Sequence, residues 1–385
     1  MRRGLGSGFL WALETDRAGA TAAVVACVAE DPRWDRQLDS RQWYYGELAL
    51  RLGIAAERLT GELAIPVLGW MAANAHEAAR ATLRDHVAHG PEWDEALWSL
   101  TYVDDETGPR TGWEEAVAGL DEALAARFPT DAAFAAALED VNARADTPPW
   151  SLWADQPRFA RALGRTDARG LAADRPRPAR PTPLGEQSTA ELAASTNPRA
   201  VGVLAARTAP ADVADILAGA RRGQPTALRA LGEQGRPELL ELEAAATDGA
   251  GQAAYHRALV RLPFALTGPL AADWLRSPDA MRRRRASSIL AAHAGGDEAP
   301  AVRAALRHET DQYVIGSLAE ALGRAPEAGP SPELREAYAT MPYSYGRHFV
   351  VEALAATDPA FDAELAVECA FDCEPVVRAF VSGRS

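Results

Sequence analysis

Apolar residues recur at spacings of three and four along almost the whole chain, which predicts amphipathic α-helices. The alternating Val, Ile, Thr and Tyr pattern that marks β-strands is nearly absent. Glycine and proline interrupt the helical pattern repeatedly, for example at Asp31-Pro32, Asn197-Pro198 and Asp358-Pro359. This rhythm predicts an all-α protein built from short antiparallel helices joined by turns.

The second half of the chain repeats. Leu290, Leu322 and Leu354 occupy equivalent places in three predicted helices and are separated by 32 residues in each step. The partner helices carry a second equivalent set, at Leu306, Tyr338 and Cys369. A period of this length with one helix pair per unit is the signature of an α-solenoid, in which stacked antiparallel helix pairs bury their apolar faces against each other.

A proline-rich segment separates this repeat from the first half of the chain. Four prolines fall between Ala173 and Thr189, and such a segment favours an extended connector over a helix. Nine of the ten tryptophans lie before it, so composition changes across the segment as well. We therefore predict a diverged, Trp-rich helical array over 1–172, a linker over 173–189 and a repeat array over 190–385. The two arrays either form one continuous superhelix or remain separate.

Three tryptophans in the first half are followed by acids and by an apolar residue four positions later. They are Trp34, Trp93 and Trp113. Acids in a first helical turn favour the positive helix end, and the apolar pair would pack as a hydrophobic staple. The pattern predicts a helix start at each of the three.

One repeat unit carries a recognisable motif, Asp-x-x-Val-x-x-x-x-x-x-Ala-x-Gly, which runs from Asp311 through Val314 and Ala321 to Gly323. It resembles the HEAT-like repeat of the phycobilisome-lyase type. The unit around 343 departs from the motif, because Tyr343 stands where it has aspartate. In the first half, segments 31–54 and 66–87 are similar to uncharacterised HEAT-repeat proteins of actinobacteria. The resemblance implies a HEAT-like solenoid and, through the lyase name, a bound ligand.

Charge and composition exclude several kinds of chemistry. All 40 basic residues are arginine, against 54 acidic residues, for a net charge of −14. A lysine-free chain cannot build a Walker-type phosphate loop, a pyridoxal-phosphate Schiff base or a kinase-type nucleotide site. The excess of negative charge does not favour nucleic acid as a partner.

The expected compartment is the cytoplasm of a bacterium. The three cysteines do not form a disulfide framework, and the apolar stretch near the beginning ends at Glu14, which is too short for a signal peptide. No apolar run reaches the length of a membrane span. Arginine-only, alanine-rich usage is typical of a GC-rich bacterial genome.

Arginines at the repeat period are the first candidate binding residues. Arg283 and Arg347 lie two periods apart, Arg378 follows, and Arg282 belongs to the run 282–285. They could bind a carboxylate or phosphate of a partner. Alternatively, they form an internal ladder in which each arginine bonds a repeat aspartate such as Asp279 and the loop carbonyls.

The aromatic trio Trp43, Tyr44 and Tyr45 is the second candidate. Three adjacent residues cover about 200° of a helix, so at least one of them could be exposed and stack on a flat ligand. The alternative is that two of them belong to the core and the third packs against a neighbouring helix.

No catalytic constellation emerges, and we predict neither a metal nor a cofactor. His76, Asp85, His86 and His89 lie close in sequence, but no HExxH motif or cysteine pair accompanies them. Cys369 and Cys373 do not form a CxxC motif, and the carboxylate clusters have no nucleophile beside them.

The function that we expect from the sequence is a non-catalytic interaction scaffold. It would bind a protein or peptide partner on the concave face of the α-solenoid. A HEAT-like nucleic-acid-binding or DNA-repair protein is the first alternative, and a lyase or chaperone-like enzyme acting on a bound ligand is the second.

Overall fold

The computed structural model describes residues 1–39, 41–100, 119–143, 150–153, 156–163 and 182–384. In these ranges every regular element is a helix, so the predicted all-α class is confirmed. The predicted helix start at Trp113 and most of the proline-rich linker, 173–181, lie outside the described residues.

The described residues belong to two compact units. Unit 1 comprises Met1–Pro176, Pro342–Tyr345 and Glu364–Ser385, and unit 2 comprises Arg177–Met341 and Gly346–Ala363. The helices of the first half are α1 Gly6–Glu14, α2 Arg17–Glu30, α3 Gln42–Leu52, α4 Ala64–Ala73, α5 Glu77–His89, α6 Trp93–Leu100, α7 Leu120–Arg127, α8 Asp131–Asp140, α9 Trp150–Trp153 and α10 Pro157–Ala162.

The second half begins with α11, which a capping box of Ser188 and Glu191 starts at Thr189. Its helices are α11 Thr189–Ala194, α12 Ala200–Ala205, α13 Pro210–Arg221, α14 Pro225–Glu233, α15 Gly249–Arg261, α16 Phe264–Trp274, α17 Ala280–His293, α18 Ala299–Leu306, α19 Gln312–Gly323, α20 Pro332–Thr340, α21 Ser344–Thr357, α22 Phe361–Glu364, α23 Ala366–Cys369 and α24 Pro375–Ser382.

Unit 1 combines helices from the two ends of the sequence. The Phe9 ring of α1 stacks on Phe371, with 5.2 Å between the ring centroids, and on Trp43 of α3 at 5.7 Å. The Cys373 amide donates a 2.8 Å hydrogen bond to the Gly4 carbonyl. The sequence-based division assigned the whole of 190–385 to one array, whereas these apolar and backbone contacts place residues 364–385 in unit 1.

Four helices of unit 2 pack side by side in series. Helix α14 packs on α15, α15 on α17, and α17 on α19. The α14 and α15 helices run parallel, as the contacts at their two ends show. At the starts, a Cβ added to Gly251 of α15 would lie 3.2 Å from the carbonyl oxygen of Gly223, just before α14. At the ends, a Cβ added to Gly235, just after α14, would lie 3.6 Å from Pro263, just after α15. Gly232 permits the close approach, since a Cβ there would lie 2.6 Å from the Ala258 oxygen.

The positions that define the 32-residue period are buried. Leu290, Leu322 and Leu354 are each at most 3% exposed, and the partner-helix positions Leu306, Tyr338 and Cys369 are at most 6% exposed. Helix starts repeat as well. Asp279 and Asp311 accept hydrogen bonds from the amides of Met281 and Tyr313 respectively, as N-caps do.

The helix start predicted at Trp34 is wrong. Trp34 lies in the loop between α2 and α3 and is 43% exposed. The acid that follows Trp34 bonds within the loop instead, where Asp35 Oδ1 accepts a hydrogen bond from the Gln37 amide at 2.9 Å. Trp93, in contrast, begins α6 as predicted.

None of the helices in the described part of the chain combines the length and the apolar character that a membrane span needs.

Candidate functional site

The period-spaced arginines bind loop carbonyls. Arg283 Nη1 donates to the carbonyls of Ser277 and Pro278, six and five residues upstream, at 3.0 Å each. Arg378 Nη1 donates to the carbonyls at the same two offsets, both at 2.8 Å. Arg347 Nη1 donates to the carbonyl of Met341, again six residues upstream, at 3.3 Å. A guanidinium therefore closes the loop before each of the three helices, and carbonyls of that loop gain a charged donor.

Each of the four arginines in the run 282–285 pairs with a carboxylate, and these carboxylates lie on two sides of α17 along the chain, before it and after it. Arg282 and Arg285 both reach Glu243, at 3.5 and 2.5 Å. On the other side, Arg283 pairs with Glu309 and Arg284 with Asp311, each at 2.8 Å. Arg285 also lies over the Tyr255 ring at 5.2 Å. These guanidinium groups link consecutive helix pairs of unit 2.

The predicted partner-binding residues differ in accessibility. Tyr44, Tyr45 and Arg347 are 0% exposed, so a partner could reach them only if their unit opened. Trp43 is half-buried and carries Arg378 over its ring, with 3.9 Å from the guanidinium carbon to the ring centroid. Arg282 remains accessible, with 46% of its side chain exposed.

A buried ionic network lies beside the tyrosines in unit 1. Arg41, which is fully buried, makes a two-pronged pair with Asp39 through Nε at 2.9 Å and Nη2 at 2.7 Å. Its Nη1 donates to the Arg2 carbonyl, and its Nη2 also donates to the Pro342 carbonyl at 3.0 Å. Burial lowers the pKa of Arg41, but Cys373 and Asp39 outweigh this effect and raise it overall. All of these contacts hold the loop before α3 in place.

A cavity of about 510 Å³ opens on the stacked face of α14, α15 and α17. Its cationic lining consists of Arg229 from α14 and of Arg257 and Arg261 from α15. Among the described residues, no carboxylate lies within salt-bridge distance of Arg229 or Arg257, whereas Arg261 contacts Glu233 at 3.4 Å. We call this site the arginine pocket. Its remaining lining residues are Ala253, His256, Ala258, Val260 and Ser288.

The four charged residues of the arginine pocket form a two-by-two array. Arg229 and Glu233 lie one turn apart on α14, and Arg257 and Arg261 lie one turn apart on the parallel α15. Each α15 residue follows its α14 counterpart by 28 positions. The contact between Glu233 and Arg261 fixes this alignment, so Arg229 is placed beside Arg257 one turn earlier.

The other polar groups of the pocket are electrically neutral. The pKa of His256 is lowered, mainly by burial and further by the charges of Arg285 and Arg257, so the ring is neutral near pH 7. Ser288 donates its hydroxyl hydrogen to the Arg284 carbonyl at 3.0 Å. With three guanidinium groups and one carboxylate, the pocket carries an excess of positive charge.

Sequence reasoning missed this pocket. Arg229 and Arg257 lie outside the 32-residue repeat motif, and neither stands in a run of like charges. The available signal was the second pair at the same spacing, Glu233 and Arg261, because two charged pairs with a common offset indicate neighbouring parallel helices.

The histidines of the first half do not gather into a metal site in the structure. His76 caps α5 by accepting the Ala79 amide at 3.2 Å. His89 lies 3.9 Å from Asp85, and both side chains are more than 60% exposed. In the ranges that the structure describes, no group of three His, Cys, Asp or Glu side chains is placed to hold a metal ion.

Fold and site together define a class, that of all-helical proteins with helix-on-helix packing and a cationic surface pocket. Comparison with protein-family models, with curated proteins and with solved structures finds no match to this chain.

Proposed function

We propose that this protein is a non-catalytic interaction scaffold of the cytoplasm. In this proposal unit 2 is a HEAT-like α-solenoid, and the face formed by α14, α15 and α17 holds a protein or peptide partner. The parallel stacking of α14 on α15 and the buried 32-residue period support the solenoid.

The observation that carries the proposal is the arginine pocket. It combines a cavity of about 510 Å³ with two guanidinium groups that have no carboxylate partner among the described residues. Arginine is enriched where proteins bind proteins, because its planar fork recognises carboxylates and its stem adds apolar contact. The neighbouring arginines at 282–285, in contrast, already have carboxylate partners.

Affinity capture tests the proposal. The full chain, immobilised and exposed to native lysate of its host, should retain a stoichiometric partner that mass spectrometry identifies. Adding a soluble excess of the same chain should release that partner. Repeated capture without any stoichiometric partner would contradict a scaffold role.

A further inference from the structure

We infer that the arginine pocket binds the side-chain carboxylates of an acidic peptide segment, with Arg229 and Arg257 as its anion-binding pair. The inference rests on the proposed scaffold function and names the chemistry of the partner. It follows from three observations: the arrangement of the charges, their contrast with the surrounding arginines, and the charge balance of the chain.

The arrangement places two like charges side by side. The alignment set by Glu233 and Arg261 puts Arg229 next to Arg257 on parallel helices, and no described carboxylate lies within salt-bridge distance of either. Adjacent like charges repel each other, so the free protein bears a cost that an anion between the two guanidinium groups would remove. Each guanidinium can then donate two parallel hydrogen bonds to a carboxylate.

The arginines at the start of α17 differ from this pair, because each of them has a carboxylate partner. In unit 2, Arg282 and Arg285 share Glu243, Arg283 has Glu309, and Arg284 has Asp311. The sequence supplies acids in excess, with 54 against 40 basic residues. The pair at 229 and 257 is therefore unpartnered in a chain that neutralises the arginines of the adjacent run.

The charge balance favours an acidic peptide over a nucleic acid. A chain with a net charge of −14 repels a long polyanion, because binding along many phosphates needs an extended basic surface. The pocket offers positive charge over a small area, and Glu233 lies within it. One or two carboxylates on a short peptide segment fit this area, and the neutral His256 and the apolar side chains beside it can contact the peptide chain.

Peptide titration of the full chain tests the inference. Fluorescein-labelled hexaglutamate is titrated at low salt and followed by anisotropy, with hexaglutamine as the uncharged control. We expect saturable binding of hexaglutamate only. The double variant Arg229→Gln, Arg257→Gln should bind about tenfold or more weakly, because each substitution removes charge-assisted hydrogen bonds.

Two matched variants test whether position matters. Arg222→Gln removes one positive charge from an exposed arginine of unit 2 outside the pocket, and its affinity should stay within about twofold of the wild type. Glu233→Gln should bind hexaglutamate more tightly, since it releases Arg261 and removes a negative charge from the pocket. Thermal unfolding of the double variant should occur at or above the wild-type temperature, because the repulsion is gone; a purely structural role for the two arginines would lower it.

Three results would overturn the inference. One is the absence of saturable hexaglutamate binding. Another is a loss of affinity in Arg222→Gln as large, per charge removed, as the loss in the double variant, which would mean a general charge effect. The third is tighter binding of a thymidine oligonucleotide that the double variant abolishes, which would assign the pocket to nucleic acid. Inorganic phosphate serves as competitor, and displacement of hexaglutamate by phosphate at a lower concentration than by free glutamate would also count against carboxylates.

Capture from lysate separates this inference from the scaffold proposal. If the wild type and the double variant retain the same stoichiometric partner, the scaffold role stands and the acidic-peptide site falls. If hexaglutamate binds at the pocket while no partner is captured, the site stands and the scaffold role falls.

Discussion

Asp39 and Ser344 are 305 residues apart in the chain and share a buried hydrogen bond, in which the Ser344 hydroxyl donates to Asp39 Oδ1 at 2.8 Å. The same oxygen accepts from Arg41 Nε at 2.9 Å. Asp39 thus compensates a buried cation and also binds the first residue of α21, directly after the position where Tyr343 replaces the repeat aspartate.

Substitution of Asp39 should strongly destabilise the protein. In Asp39→Ala, the guanidinium of Arg41 stays buried without its carboxylate, and breaking a buried pair in this way costs about 3–5 kcal/mol of unfolding free energy. Glu62→Ala removes one of the two carboxylates that pair with exposed Arg36, which keeps Asp31 at 3.3 Å, and should cost at most about 1 kcal/mol. Urea unfolding measures both values. Equal losses in the two variants would refute the structural role of the buried pair.

Arg283 should contribute more to stability than Arg282, its neighbour in the sequence. Arg283→Met removes two carbonyl contacts and the pair with Glu309, for an expected loss of about 2 kcal/mol. Arg282→Met removes a half-exposed ion pair and should cost less than about 1 kcal/mol. Chemical denaturation of the two variants gives the comparison. The idea of a loop-closing arginine fails if Arg282→Met proves the more damaging change.

Alanine substitution at two helical glycines should change the stability of the protein in opposite directions. Gly232→Ala places a Cβ 2.6 Å from the Ala258 oxygen, so α14 and α15 must separate, at a cost of about 1–3 kcal/mol. Gly202, on α12, has no atom within 4 Å of a built Cβ, and alanine there should stabilise the helix by about 0.5–1 kcal/mol. Thermal unfolding reads out both changes. If Gly232→Ala were neutral, the close contact of α14 with α15 would be wrong.

Stability should fall on acidification in a way that depends on His256. The pKa of His256 is lowered in the folded protein. Below about pH 6.5, the ordinary pKa of histidine, the unfolded chain therefore binds a proton that the folded protein does not bind. The free energy of unfolding therefore keeps its full value above about pH 6.5 and decreases as the pH falls toward the lower pKa that His256 has in the folded protein. We expect His256→Gln to reduce the loss of unfolding free energy between about pH 7.5 and pH 5.5. His308→Gln, at an exposed histidine of the same unit, should leave the loss unchanged; if it had the same effect, the burial of His256 would not be the cause.

Much of the fold could be predicted from periodicity, because the spacing of apolar residues reports directly which helix face is buried. Leu290, Leu322 and Leu354 are buried as the repeat requires. The grouping of residues 364–385 with unit 1 could not be predicted, since it depends on contacts such as Gly4 with Cys373 that no local pattern encodes.

The candidate site was less predictable than the fold. The arginines at the repeat period stood out in the sequence, yet the structure gives them loop carbonyls as partners, as the internal-ladder alternative required. The carboxylate partner of Arg283 is not the one that this alternative named. Asp279 caps its own helix, and Glu309 of the following loop pairs with Arg283 instead. The juxtaposition of Arg229 and Arg257 depends on the parallel packing of α14 on α15, and in the sequence only the common 28-residue offset of the two charged pairs indicates it.

Unit 1 contains residues from both ends of the sequence, and this affects how it folds during translation. A ribosome makes α1–α3 early, but Phe371, which stacks on Phe9, and Cys373, which bonds to Gly4, emerge only with 364–385. Until then the apolar face of α1 has no cover from Phe371, while unit 2 is being translated. Closing a loop of this length carries a large entropy cost and depends on late, non-local contacts. Completion of unit 1 should therefore be the slow step of folding, and the nascent chain should depend on chaperones during that interval.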